Sequence, residues 1–209
     1  MGRDTGAKCR QCRREGEKLF LKGDRCYSRS CALAGSRRVS PPGEGPKKRR
    51  PRKSQYQIHL REKQKARRIY GVRERQFRNY VAQAKRKKGV TGEALLELLE
   101  RRMDNMVYRA GLASSRQQAR QMITHGHFLL NGRPTNIPST ILKDGDVVAV
   151  KESRRDRVKG IVEANKDRDV PAWLEKNAEA MKFQVIAPPN VEQMGLNIAA
   201  HLIVEFYSR

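Results

Sequence analysis

The chain has 209 residues, enough for one or two modest domains with a real core. Its 46 Lys and Arg stand against 22 Asp and Glu, a net charge of +24, with a pI near 10.6 and a mean hydropathy of −0.81. No apolar run approaches the roughly 20 residues that span a bilayer, and the start lacks the apolar stretch of a signal peptide. A helical membrane protein is excluded on this reading, and a cytoplasmic one is expected.

The charge is uneven. Residues 1–92 hold 29 Lys and Arg against 7 Asp and Glu, a net of +22; residues 93–209 hold 17 against 15, a net of +2. The first stretch is built against phosphate, and the second reads as an ordinary globular segment.

All four cysteines fall in the first 31 residues, as Cys9-x2-Cys12 and Cys26-x4-Cys31. In a reducing cytosol this spacing argues for two chelating turns on one ion rather than for disulfides. One structural zinc ion is expected, with an iron–sulfur cluster as the alternative. Four protein ligands would leave no open position for a substrate. Arg3, Arg10, Arg13 and Arg14 lie around the site as candidate phosphate contacts.

Pro41-Pro42-Gly43-Glu44-Gly45-Pro46 reads as a linker. Lys47, Lys48, Arg49, Arg50, Arg52 and Lys53 follow as an extended arm along a phosphate backbone. Ser54 is the expected N-cap of a helix to about Tyr70, stopped by Gly71 and carrying the basic Arg61, Lys63, Lys65 and Arg68. A second helix over about 73–88 places Phe77, Tyr80 and Val81 on its apolar side and ends in Lys85, Arg86, Lys87 and Lys88. Thr91 then caps a longer helix to about Ala110, with Leu95, Leu99, Met103, Met106 and Ala110 as its core stripe.

Ser115-x-x-Gln118 is a capping box for a helix over about 116–125, whose Ala119, Met122 and Ile123 face inward. Arg116 and Arg120 sit one turn apart beside that stripe, with Gln117 and Thr124 on the same exposed strip. Cations fixed beside a core in this way are candidate contacts that follow the shape of a polyanion. The period then changes: Phe128-Leu129-Leu130 and Asp146–Val150 read as strands, and Asn131-Gly132 as a hairpin turn. Residues 154–170 look helical. The run from Leu202 to Phe206 is too apolar for a free tail, so it is expected to return onto the N-terminal helices.

The expected fold class is α+β. A metal knuckle and basic arm occupy 1–45, and a discontinuous all-helical domain 46–92 with 175–209. Two helices on a small antiparallel sheet occupy 93–174. No Gly-rich phosphate loop is present, and His59, His125, His127 and His201 show no nucleophile–base arrangement, so no enzyme is expected. An RNA-modifying enzyme and a DNA-binding regulator remain the alternative uses of the two-helix module.

Ser115–Gln121, His125-Gly126-His127, Asn131-Gly132-Arg133, Asn136–Ser139 and Asp144-Gly145-Asp146 resemble the S-four RNA-binding domain. Leu60–Lys65, Arg68–Gly71, Glu74–Arg78, the cysteines and the terminal Phe206-Tyr207-Ser208-Arg209 extend the resemblance. The chain is similar nearly end to end to the S-four family of small-subunit ribosomal proteins, in its bacterial, zinc-knuckle-containing form. That resemblance implies a primary binder of 16S ribosomal RNA that nucleates assembly of the subunit body and contributes to decoding accuracy. It implies ribosomal proteins three and five as neighbours and mRNA near its entry channel, with no membrane and no homo-oligomer. Ser115, Arg116, Gln117, Arg120, His125, His127 and Arg133 become its RNA contacts within the S-four module. Three departures stand out: no His in the Pro-Gly arm, Gln55 at a usually acidic place, and Ala199-Ala200 where the family usually has Asn-Glu.

Overall fold

Ser54 accepts the backbone N–H of Gln57, whose side chain takes the N–H of Ser54 in return. This capping box starts the first long helix of the computed structural model, which describes residues 4–34, 40–43, 52, 54–166 and 168–208. Backbone contacts divide the chain into two compact units, 1–95 with 197–209, and 96–196.

The first unit contains α1 (Lys8–Glu15), a tight turn at Gly23–Cys26, α2 (Gln55–Ile69), α3 (Glu74–Arg86) and the start of α4 (Thr91–Glu100). Its core joins Ala66, Ile69, Tyr70, Phe77, Tyr80, Val81 and Ala84. The C-terminal α8 (Ala200–Phe206) belongs to this unit, packs on α2 and buries Ile203. A Cβ added at Gly92 would stand 2.9 Å from that of Ala200, so position 92 takes a glycine. The backbone N–H of Ala199 donates to Glu62 Oε1 at 2.8 Å, which anchors the tail without the polar side chains usual at this place.

The second unit carries α5 (Met103–Arg109), α6 (Arg116–Thr124), α7 (Arg155–Ala164) and one antiparallel sheet. The strands β1 (Phe128–Leu130), β2 (Arg133–Thr135), β3 (Val147–Val150), β4 (Leu174–Asn177) and β5 (Lys182–Val185) lie in the order β2-β1-β3-β5-β4. Asn131 and Gly132 both take positive φ, at 49° and 78°, as the turn of the β1–β2 hairpin demands.

Two expectations need correction. The single helix expected over 91–110 is broken at Arg102, which is extended (φ −65°, ψ 136°) and bridges Ile141. The 138–142 segment supplies the reason. Thr140 and Pro138 carbonyls take the N–H groups of Met103 and Asp104, while Leu142 donates to Arg101. The stripe is buried all the same. The boundary expected at 175 also moves, because β5 pairs with β3, and β4 with β5. The chain returns to the first unit at 197. Among the described residues, no helix is long and apolar enough to cross a membrane.

Candidate nucleic-acid interface

Cys9 and Cys12 lie on α1, Cys26 ends the following turn, and Cys31 lies just beyond it. All four are free thiols and line one small cavity with Leu21, Ala32 and Leu33. The N–H of Lys22 donates to Cys26 Sγ at 3.3 Å. Burial pushes the Cys12 thiol up; the Leu19 N–H opposes this, and the other three thiols add to it. Among the described residues, no group of three or more His, Cys, Asp or Glu side chains stands in a metal-holding arrangement. The cysteines share a cavity without forming a closed ligand set.

Several basic residues read from the sequence as phosphate contacts have carboxylate partners. Lys63, 5% exposed, donates to Glu74 Oε1 at 2.9 Å and lies over the rings of Phe206 and Tyr207. Lys65, 8% exposed, pairs with Glu17 and Glu62, each at 2.9 Å. Arg61 and Arg68 both pair with Glu15, whose side chain is almost wholly buried. Burial alone would raise the Glu74 carboxyl, but hydrogen bonds from Lys63 and Tyr207 and the charges of Lys63 and Arg67 hold it below the usual range. The exposed cations of this unit include Arg10, Arg14, Arg52, Lys85, Arg86, Lys87 and Lys88. Arg13 is half-buried and donates to the Ser40 carbonyl. Arg3, Lys47, Lys48, Arg49, Arg50 and Lys53 lie outside the described residues.

In the second unit Ser115 caps α6 by accepting the N–H of Gln118, and Gln118 takes the N–H of Ser114 rather than closing the box on Ser115. Arg116 Nε donates to Asn105 Oδ1 at 2.8 Å, and its guanidinium stacks on Tyr108 at 4.6 Å. Arg120 reaches Asp104 Oδ2 at 3.3 Å. Both arginines are therefore pinned, and each keeps part of its surface in solvent. Gln117 is half-buried and Arg133 exposed. His125 and His127 end α6 with ring centroids 6.4 Å apart, beside a cleft of about 360 Å³ that Gln118, Gln121, Met122 and Arg157 also line. Burial, then the charges of Arg154, His125, Arg157 and Lys151, lower the His127 imidazole below its usual value. Its Nδ1 is buried and has no hydrogen-bond partner among the described residues.

Residues 3–100 match the model of the ribosomal protein S4/S9 N-terminal domain, and residues 101–148 that of the S4 domain. The chain is 54% identical over 211 aligned residues to small ribosomal subunit protein uS4 of Syntrophomonas wolfei subsp. wolfei. It is 55% identical over 213 to that of Clostridioides difficile, with all of both chains covered in each comparison. The chain belongs to the ribosomal protein S4 family. A third S4 relative, uS4A of Symbiobacterium thermophilum, is 53% identical over 212 residues, again with full coverage. The S4 domain match holds the pinned Arg116 and Arg120, both histidines and Arg133. It ends before Arg157, Arg168 and Lys176, none of which lies in a sequence motif. Their only signal was a basic residue in a stretch of balanced charge, and the contacts that single them out are long-range.

Proposed function

We propose that this chain is a structural, non-catalytic protein of the small ribosomal subunit. It binds 16S ribosomal RNA as a primary binder and nucleates assembly of the subunit body. On this reading it sits in the cytoplasm within the ribosome. Ribosomal proteins three and five are its neighbours, mRNA enters nearby, and it contributes to decoding accuracy. The carrying observation is full-length agreement, at over half identity, with proteins named small ribosomal subunit protein uS4. The basic N-terminal half supports it, as do the pinned arginines of the S4 domain and the cleft beside His125 and His127, whose size and mixed polar lining suit an unstacked base. Full-length agreement with ribosomal proteins speaks against an RNA-modifying enzyme or a DNA-binding regulator. The test compares 16S ribosomal RNA, an unrelated structured RNA and duplex DNA at matched salt. The 16S RNA is expected to bind tightest, and equal affinity for all three would refute the assignment.

The same reading assigns one zinc ion to Cys9, Cys12, Cys26 and Cys31. The donor set fits a structural site: four thiols on one cavity, an N–H···S bond to Cys26, and Lys8, Lys22 and Arg25 at its rim to offset thiolate charge. The ion would tie α1 to the turn at Gly23–Cys26. Elemental analysis of protein purified without chelator is expected to give about one zinc per chain. Iron with acid-labile sulfide would assign a cluster instead, and no metal would end the proposal.

A further inference from the structure

The turn between α5 and α6 gathers cations that the S4 domain match does not cover. Arg168 Nη1 donates to the carbonyls of Tyr108 and Ala113, at 3.3 and 3.2 Å, one on each side of the turn. Its guanidinium stacks on the Tyr108 ring at 4.6 Å, the same distance as that of Arg116. Lys176, on β4, reaches over the turn itself. A Cβ added at Gly111 would stand 3.2 Å from its Nζ. Two cations, from the loop after α7 and from β4, thus converge on one short backbone segment, and the first shares the Tyr108 ring with Arg116.

Their partners do not balance them. Among the described residues, neither Arg168 nor Lys176 has a carboxylate within ion-pair distance, and Lys176 has no hydrogen-bond partner. Burial and then the charge of Arg168 lower the Lys176 ammonium below the usual lysine range. Like charges held this close gain most from a shared anion, and guanidiniums fixed by stacking and backbone bonds lose little entropy on taking one. A carboxylate would serve one of them. A phosphate carries more oxygens, can take both, and is the group that the basic chain meets on RNA.

We propose that Arg168 and Lys176 form a phosphate site over the α5–α6 turn that grips one backbone phosphate of the bound ribosomal RNA. This rests on the RNA-binding function proposed above and adds to it a contact beyond the S4 domain match. The site positions the RNA backbone and reads no base.

The experiment uses the full chain and a 16S ribosomal RNA transcript, with affinity measured across a salt series. Lys176→Gln, which removes no hydrogen bond among the described residues, is expected to weaken binding roughly tenfold near 0.1 M salt and to lower the salt slope by about 1. Lys143→Gln, an exposed lysine elsewhere in the same unit, is the control and is expected to change affinity less than about twofold. Arg168→Gln should act like Lys176→Gln, with Trp173 fluorescence monitoring its fold, while Arg168→Lys should keep the slope. If Lys176→Gln matches Lys143→Gln in affinity and slope, the site is wrong. If it binds naked RNA normally but fails to enter reconstituted subunits, the cluster faces an acidic protein, which also overturns the proposal. Failure of the unaltered chain to prefer 16S RNA would instead overturn the RNA-binding function itself, and this site with it.

Discussion

Asp104 stands between two guanidiniums. Arg102, fully buried, donates to it from Nε at 3.0 Å and from Nη2 at 2.6 Å, and Arg120 adds a third bond at 3.3 Å. A buried guanidinium without its counter-charge is among the costlier defects a core can hold. Asp104→Asn keeps the size and removes the charge, so it is expected to destabilise the second unit by about 3 kcal/mol. Trp173 is the only tryptophan and is buried in that unit, so urea unfolding followed by its fluorescence reads the change directly. An unchanged midpoint would show that another group neutralises Arg102. The same scale explains what the sequence hid. Lys63, Lys65, Arg61 and Arg68 had the residue type of phosphate contacts. For Arg61 and Arg68 the carboxylate is far away in the chain, since Glu15 precedes them by 46 and 53 positions, and Lys65 adds Glu17 to its near neighbour Glu62. Charge composition cannot reveal such pairing, because only the fold brings the two ends together.

Elements whose signals are local were legible. The Ser54 N-cap, the Asn131-Gly132 hairpin and the α6 stripe of Ala119, Met122 and Ile123 each depend on residues within a few positions of one another. The break at Arg102 was not legible. Leu95, Leu99, Met103, Met106 and Ala110 keep a helical spacing through it, and the carbonyls that open the helix come from 138–140. Strand β5 did carry a signal: Phe183 and Val185 are buried while Lys182 and Gln184 are exposed. Its alternation is only four residues long, too short to stand out from the surrounding loop signals. The tail shows a different limit. Ala199-Ala200 reads as a loss of polar contacts, yet the anchor is a backbone N–H, and the Cβ of Ala200 leaves no room for one at position 92. Side-chain chemistry alone could not have shown either point.

At the scale of the whole chain, the +22 of residues 1–92 is less available to RNA than the count suggests, since Glu15, Glu17, Glu62 and Glu74 neutralise much of α2. The same carboxylates tie the first unit together across sequence, and the C-terminal segment completes it. Glu62 holds the Ala199 N–H, Tyr207 donates to Glu74 at 2.7 Å, and His59 Nε2 lies 3.1 Å from Glu205. Lys63 sits 4.3 Å from the centre of the Phe206 ring, Tyr56 stacks near that ring, and Ile203 is fully buried. Deleting 197–209 therefore removes an apolar cover, one hydrogen bond to each of Glu62 and Glu74, and the rings that lie over Lys63 of α2. Hydrogen exchange on the truncated chain should show protection lost over 54–86, with 96–196 protected as before. The Trp173 unfolding midpoint should also stay in place, because that residue and the core around it belong to the other unit. Unchanged protection at 54–86 would mean that α2 and α3 hold without the tail. A shifted Trp173 midpoint would mean that the two units unfold as one cooperative body.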